Sequence, residues 1–279
     1  MTAAGRGRLL VVGTPIGNLG DLSPRAAEAL RLADLVVAED TRLAARLLAH
    51  VGARRPTLSL TEHNAAARLP GLVARLGAGE TLALTTDAGM PAVSDPGARL
   101  VAAARDAGAA LEVVPGPTAV TAAMALAGIE APGFVFGGFL PARPVSARRA
   151  ALDALLSAAA AVRLPLVLYE APHRVVGLLD LLAELAAGLP VVACRELTKR
   201  HEQVLAGTPA EVRAALSEVR GEFTLVVGAP QADAPAAGLD AAALATAALA
   251  AGIAPRTVAD LLRAGGLSRR EAYALAQGR

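Results

Sequence analysis

The sequence holds one cysteine, Cys194, no tryptophan and a single lysine, Lys199, and aromatic residues make up only 2% of it. A lone thiol excludes an internal disulfide and a thiolate metal cage. The four histidines are scattered, so no metal site is expected. With few large rings available, the cores have to be built from Leu, Val and Ala within a hydrophobic content of 54%. Near absence of lysine leaves arginine as the cation. Arginine stays protonated and forks onto phosphate, so basic clusters here favour fixed anion recognition over proton transfer. Long apolar runs are also missing. Residues 9–12 are too short for a signal segment and far too short to span a bilayer, which points to a soluble cytoplasmic protein with no membrane partner. Neither charge sign dominates: 27 basic and 25 acidic residues give +2, which excludes a uniformly cationic nucleic-acid coat and leaves local patches.

What is present is a repeated strand, loop, helix pattern. The 279 residues exceed what one small core uses, so more than one domain is expected. The most informative stretch follows the apolar run 82–84. From Asp87 to Gly97 the chain carries two glycines, two prolines, two aspartates and a serine, a composition that forbids regular structure and lets backbone approach a ligand. It is either an ordinary turn or a ligand loop, and its length favours the ligand, because such turns usually run about 2 to 6 residues. Its place after a strand and before a helix is where open α/β sheets put their crevices.

In chain order, a strand over 8–12 runs into a glycine-rich turn, 13–21. Pro15 lacks the N–H that a dinucleotide fingerprint needs there. Ser23 caps a helix with Pro24 at its first position. A strand over 35–38 ends in Glu39-Asp40, which either cap the next helix, 43–51, or form a site. A strand over 57–60, a helix interrupted by Pro70, and a strand over 110–114 complete five βα repeats, predicting a parallel sheet covered on both faces. Beyond the helix 118–127 the pattern changes, through Phe134 to Pro144. Strands over 165–169, 191–196 and 223–227 alternate with helices, and Thr208-Pro209-Ala210-Glu211 reads as a capping box. The expected domains are 1–117, an N-terminal α/β domain with a mostly parallel sheet, 118–229, a second α/β domain, and 230–279, a linker at 231–238 followed by a helical tail. Ser268-Arg269-Arg270-Glu271 is a second capping box. The short helices around Gly265-Gly266 have a helix-turn-helix outline that fits packing better than groove reading.

The loops together resemble a known family. The turn 13–21 before Leu22-Ser23-Pro24-Arg25-Ala26, then Ala38-Glu39-Asp40-Thr41-Arg42, the stretch 87–97, Val114-Pro115-Gly116-Pro117, Gly138-Phe139-Leu140-Pro141 and Arg195-Glu196-Leu197-Thr198-Lys199 are similar to the ribosomal RNA small-subunit methyltransferase I group of the tetrapyrrole methylase superfamily. The likeness covers residues 8–229, and six motifs occur in register. One departure is Thr61, where the group usually has histidine ahead of Glu62-His63-Asn64. The resemblance implies two α/β/α domains with a small helical extension, S-adenosylmethionine as cofactor, methylation of a cytidine ribose 2′-hydroxyl in 16S rRNA of the small ribosomal subunit, and a homodimer. A corrin-precursor or diphthine-type methyltransferase of the same superfamily, and a non-catalytic ribosome-binding factor, are the alternatives.

Carried residue by residue, the resemblance puts Pro15 and Ile16 in the first turn of the donor site. Asp87 and the backbone of Gly89, Met90, Pro91, Ala92 and Val93 meet the donor's polar end. Thr118 and Ala119 bind through backbone and hydroxyl, while Tyr169, Leu197, Phe223 and Thr224 face the adenosine. Ile16, Leu197 and Phe223 also suit plain core positions. A ribose hydroxyl is a poor nucleophile at neutral pH, so a base is sought among Glu170, Glu196 and Lys199. Lys199 serves only if desolvated, and Glu196 with Lys199 equally forms a structural ion pair. His173, Arg174, Arg195 and Arg200 are candidates for RNA phosphates beside that centre. Arg143, Arg148 and Arg149 are candidates further out, or else solvated surface.

Overall fold

The computed structural model describes residues 7–229, 241–250, 253–264 and 267–277. These divide into two compact units, one within Met1–Ala229 and one within Pro230–Arg279. The expected linker, 231–238, and the Gly265-Gly266 junction lie outside the described residues.

The first unit holds two five-stranded sheets. The first is built from β1 (Arg8–Val12), β2 (Leu35–Ala38), β3 (Thr57–Ser59), β4 (Thr81–Leu84) and β5 (Ala110–Val114) in the order β3-β2-β4-β1-β5. All its pairings are parallel. Strands β2 and β4 are buried along their whole length, the reason they read as short unbroken apolar runs. Helices α1 (Pro24–Leu32) and α2 (Thr41–His50) pack on one face through Leu30, Leu47 and Leu48. Helices α3 (Ala65–Gly77) and α4 (Ala98–Asp106) cover the other through Leu72, Leu76 and Leu100. The chain therefore leaves β1 toward one face and β4 toward the other, and their carboxyl ends lie side by side at the switch point of the sheet.

Local chemistry explains the helix ends. Ser23 accepts a hydrogen bond from the Ala26 N–H ahead of Pro24, and Asp40 accepts one from Arg42, so the second acid of the Glu39-Asp40 pair is a cap. Two expectations are corrected. Helix α3 is not interrupted at Pro70 but runs through that exposed residue from Ala65 to Gly77, its other face buried through Leu72 and Leu76. The sheet is not fully covered either: four of the five residues of β5 are exposed.

The second sheet comprises β6 (Val135–Phe139), β7 (Leu166–Glu170), β8 (Val191–Arg195), β9 (Gln203–Gly207) and β10 (Phe223–Val227), ordered β6-β7-β10-β8-β9. It is mixed, since β10 runs antiparallel to both β7 and β8 and β9 is antiparallel to β8. Helices α6 (Val145–Val162), α7 (Pro172–Leu185) and α8 (Pro209–Ala215) face one core, built on Leu152, Leu178 and Leu225, and the Thr208–Glu211 capping box opens α8. Helix α5 (Ala119–Ala127) covers the opposite face with Val120 and Ala123, joined there by Ile16 from the first turn. That shared core ties the two sheets together.

The second unit contains α9 (Ala241–Ala250), α10 (Pro255–Ala264) and α11 (Arg269–Ala276) around Ala245, Val258, Leu262 and Ala272. The Ser268–Glu271 capping box is present at the start of α11. Among the described residues no helix is long and apolar enough to cross a membrane.

Candidate active site

Three loops at the carboxyl ends of β1, β4 and β5 press together. A side chain at Gly13 would lie 2.6 Å from the Gly116 nitrogen, so only glycine lets these two turns touch. The Thr14 N–H donates to the Gly89 carbonyl at 2.8 Å and the Gly89 N–H donates to the Thr14 carbonyl at 3.1 Å, a two-residue bridge across the switch point. The Thr14 hydroxyl donates to the Thr86 carbonyl at 3.1 Å. The loop beyond is held in left-handed backbone at Gly89 (φ 86°), Ala92 (67°) and Ser94 (62°), and across the cleft Glu196 (51°) and Thr198 (66°) adopt it too. The one other non-glycine residue of this kind among those described is Arg163, which ends α6. Such strain persists where surrounding structure fixes it, and it clusters at ligand sites.

Between these loops lies a cavity of about 360 Å³, within the range of small-molecule sites. Of the residues expected to meet the donor, Ile16, Gly89, Met90, Val93, Thr118, Ala119, Tyr169, Leu197, Phe223 and Thr224 line it. Pro15, Asp87, Pro91 and Ala92 are not in its wall. Asp87 is exposed, and its Oδ1 accepts a hydrogen bond from the Asp40 N–H at 3.1 Å, bracing β2 rather than facing the cavity. The sequence reading missed Ala88, Ser94, Asp95, Phe139, Ala171, Pro172 and Glu222. Three of the six aromatic residues in the chain, Phe139, Tyr169 and Phe223, are concentrated in this wall, and the Phe139 and Tyr169 rings sit 5.4 Å apart.

The wall is acidic on both sides. Burial pushes the Asp95 carboxyl above its usual range, the Thr86 hydroxyl pulls it back, and the charge of Asp87 adds to the rise. Behind it, burial raises the Glu39 carboxyl, with Asp87, Asp95, Glu62 and Asp40 adding to the effect. Asp40 itself is held down at about 2, chiefly by its hydrogen bond with the Arg42 guanidinium. Burial raises the Tyr169 phenol, and after an opposing contact from Val120 both Asp95 and Glu222 raise it further, so their two charges bear on one ring. Cys194 is buried and its thiol is pushed up to about 11 by burial and Glu202, which keeps it protonated.

The candidate bases fare differently. Glu170 is not a free base. Its Oε2 binds Arg148 at 2.5 Å, its Oε1 binds Arg174 at 2.7 Å, and the Ala171 N–H donates to Oε1 at 2.9 Å, all with the carboxylate fully buried. Lys199 is part of an ion pair. Burial lowers its pKa, but hydrogen bonds to Glu196 and Glu222 outweigh that and leave it above the ordinary lysine value, so it carries its proton at neutral pH. Glu196 shows the mirror balance: burial raises its pKa, and Lys199, the Glu222 N–H and Arg195 bring it below the usual range.

The basic candidates split as well. Arg148 is buried against Glu170, which removes it from any surface. Arg174 shares that carboxylate and is only partly exposed. Arg195 is buried, donating to Glu218 at 2.7 Å and to the Arg220 carbonyl at 2.6 Å. Arg149 pairs with Glu184 at the surface. Arg143, His173 and Arg200 stay exposed, each within a few residues of the cavity wall, and among the described residues neither Arg143 nor Arg200 forms an ion pair. No grouping of His, Cys, Asp or Glu suited to a metal ion occurs among the described residues.

The family model described as Tetrapyrrole (Corrin/Porphyrin) Methylases matches residues 8–213. The chain belongs to the tetrapyrrole methylase family. Within it, the chain is 45% identical to the ribosomal RNA small subunit methyltransferase I of Xylella fastidiosa, over 82% of this chain and 84% of that one. It is 43% identical to the protein of that name from Synechocystis, over 82% of each chain. This methylase also shares its fold with the solved uroporphyrin-III-C-methyltransferase from Thermus thermophilus, with a TM-score of 0.55 at 24% identity over 80% of this chain and 94% of that one. Diphthine synthase gives a TM-score of 0.62 at 17% identity over 80% and 90%. At such identities the likeness is one of fold alone.

The methyltransferase draws its methyl group from S-adenosylmethionine. The cavity suits that molecule: an apolar wall from Ile16, Met90, Leu197 and Phe223 can take an adenosine, and Asp95 offers a negative charge to the donor's ammonium or sulfonium group. At Gly89 the left-handed backbone, φ 86°, favours glycine, and the residue lines the cavity beside Ile16. Bound donor supplies an activated methyl group. The residues of this chain supply position, charge and exclusion of water.

Proposed function

We propose that the methyltransferase acts on the 2′-hydroxyl of a cytidine ribose in the 16S RNA of the small ribosomal subunit, in the cytoplasm. The observation that carries this reading is the 45% identity to a ribosomal RNA small subunit methyltransferase I along 82% of the chain. An RNA substrate fits exposed Arg143, His173 and Arg200, which follow the wall residues Phe139, Pro172 and Leu197 closely in sequence, beside a cavity whose wall carries Asp95 and Glu222. Such a division keeps a cationic donor inside and a polyanion outside. Transfer needs the hydroxyl oxygen, methyl carbon and sulfur in line, a positioning effect worth about 7 to 11 kcal/mol when fully realised. In this reading Thr118, Ala119, Leu197 and Thr224 fix the donor, the strained loop from Gly89 to Gly97 fixes Asp95 against it, and residues 1–117 and 118–229 act as two lobes. Mapping 2′-O-methylcytidine in 16S RNA from cells with and without the protein tests the assignment. One such nucleotide should be missing without it, and an unchanged map counts against it.

If Arg143 and Arg200 contact phosphates, replacing both by alanine should raise the KM for small-subunit RNA and flatten its salt dependence. Each lost contact removes roughly 0.7 to 0.9 from the slope of log affinity against log salt. Donor affinity should stay constant, so unchanged RNA kinetics across a salt series would return both residues to plain surface. The protein is also read as a homodimer, and light scattering at micromolar concentration should give twice the chain mass of 28.0 kDa. A monomer mass would contradict that reading.

A further inference from the structure

Glu222 was not among the candidate bases, yet it is the acid at the cavity mouth with a built support. It precedes β10 and lines the cavity, and its side chain is 73% exposed, whereas Glu170, which also lines the cavity, has a buried carboxylate held by Arg148 and Arg174. Lys199 Nζ donates to Glu222 Oε2 at 2.8 Å and to Glu196 Oε1 at 2.8 Å. The Glu222 N–H in turn donates to Glu196 Oε1 at 3.0 Å. These three bonds close a ring that fixes both the backbone and one carboxylate oxygen of Glu222. The other oxygen, Oε1, has no partner among the described residues.

Backbone packing holds the ring rigid. Gly221 has φ 83°, and a side chain there would meet Glu196 at 2.3 Å, so the turn into Glu222 closes only with glycine. A side chain at Gly17 would lie 2.5 Å from the Lys199 Cγ, so the first turn of the chain presses on the lysine stem. Lys199 is the sole lysine in a chain with 27 basic residues. A compact ammonium can bridge two carboxylates from one point, a geometry that the planar fork of arginine does not reproduce.

We propose that Glu222 accepts the proton of the ribose hydroxyl, and that Lys199 and Glu196 are positioning residues that hold its carboxylate at the cavity mouth. This rests on the ribose methylation reading above. As the hydroxyl oxygen bonds to the methyl carbon, the carbon–sulfur bond breaks and its electron pair stays on sulfur. The hydroxyl proton passes to Glu222 Oε1 and leaves to water at the exposed mouth. Lys199 keeps its own proton throughout, so it orients the acceptor without acting as a base.

The test compares wild type with Glu222→Gln and Lys199→Met on undermethylated small subunits. Glu222→Gln should lower kcat by about 100-fold or more and remove the acidic limb of the kcat–pH profile, the size and signature of a lost general base. Calorimetric affinity for S-adenosylmethionine and the melting temperature should match wild type. Lys199→Met should lower kcat while leaving donor affinity intact, since it acts through Glu222. A Glu222→Gln kcat within threefold of wild type overturns the proposal, and so does a kcat loss matched by an equal loss of donor affinity. A wild-type protein that methylates no small-subunit RNA would instead remove the ribose reading itself.

Discussion

Asparagine in place of Asp95 should weaken S-adenosylmethionine binding by about 10- to 100-fold while the protein stays folded. The donor is cationic, and a hydrogen bond involving a charged group contributes about 1.5 to 3 kcal/mol, where each 1.4 kcal/mol is tenfold. Asp95 lines the cavity, and among the described residues no arginine, lysine or histidine pairs with it, so its charge is not spent on the fold. Its pKa is raised, so wild-type affinity should fall on acidification through that raised pKa as the carboxylate is protonated. The Asp95→Asn affinity should lack that component. Asp87→Asn is the matched comparison: Asp87 braces the Asp40 N–H outside the wall, so its effect on the donor should be the smaller of the two. Calorimetry on the three proteins decides it, and equal affinities at positions 95 and wild type would refute the assignment.

Glutamine at position 170 should cost about 3 to 5 kcal/mol of stability, the usual penalty for removing one partner from a buried charge cluster. Two guanidiniums converge on the Glu170 carboxylate, and Arg148 is only 8% exposed at its side chain. Without the carboxylate, both arginines keep their charge with no counter-ion. Arg148→Met should cost less, because it leaves Glu170 still paired with Arg174. Urea unfolding monitored by circular dichroism measures both. A Glu170→Gln loss below about 1 kcal/mol, the scale of an exposed pair, would mean that the cluster is solvated in solution.

The sequence made the strands and the helix caps readable because those signals are local. Leu82 to Leu84 carries no polar alternation, and Ser23-Pro24 and Thr208-Pro209-Ala210-Glu211 are complete within a few residues. The donor-facing loops were readable for the same reason, since glycine and proline punctuate them. What stayed hidden depends on partners far along the chain. Arg148 and Arg195 were candidates for RNA phosphates, a role that needs exposure, and only Glu170 and Glu218, 22 and 23 residues away, draw them inside. Gly137-Gly138 looks like a turn, yet a register shift between Phe136 and Gly138 carries β6 on to Phe139, which places that ring in the cavity. Strand β9 was missed because its burial alternates around half-exposed residues and offers no apolar run. Asp95 was passed over for Asp87, which lies only three residues beyond β4; the left-handed residues between them turn the loop so that the later aspartate lines the wall.

Methyl transfer from labelled S-adenosylmethionine tests the central claim most directly. The purified protein would be offered undermethylated small ribosomal subunits and, separately, a tetrapyrrole precursor, with the label located by nuclease digestion and mass spectrometry. The account predicts label on the ribose of one 16S cytidine, as a 2′-O-methyl group, and none on the tetrapyrrole. Label on the tetrapyrrole or on a base nitrogen, or donor binding with no label in RNA, would contradict it.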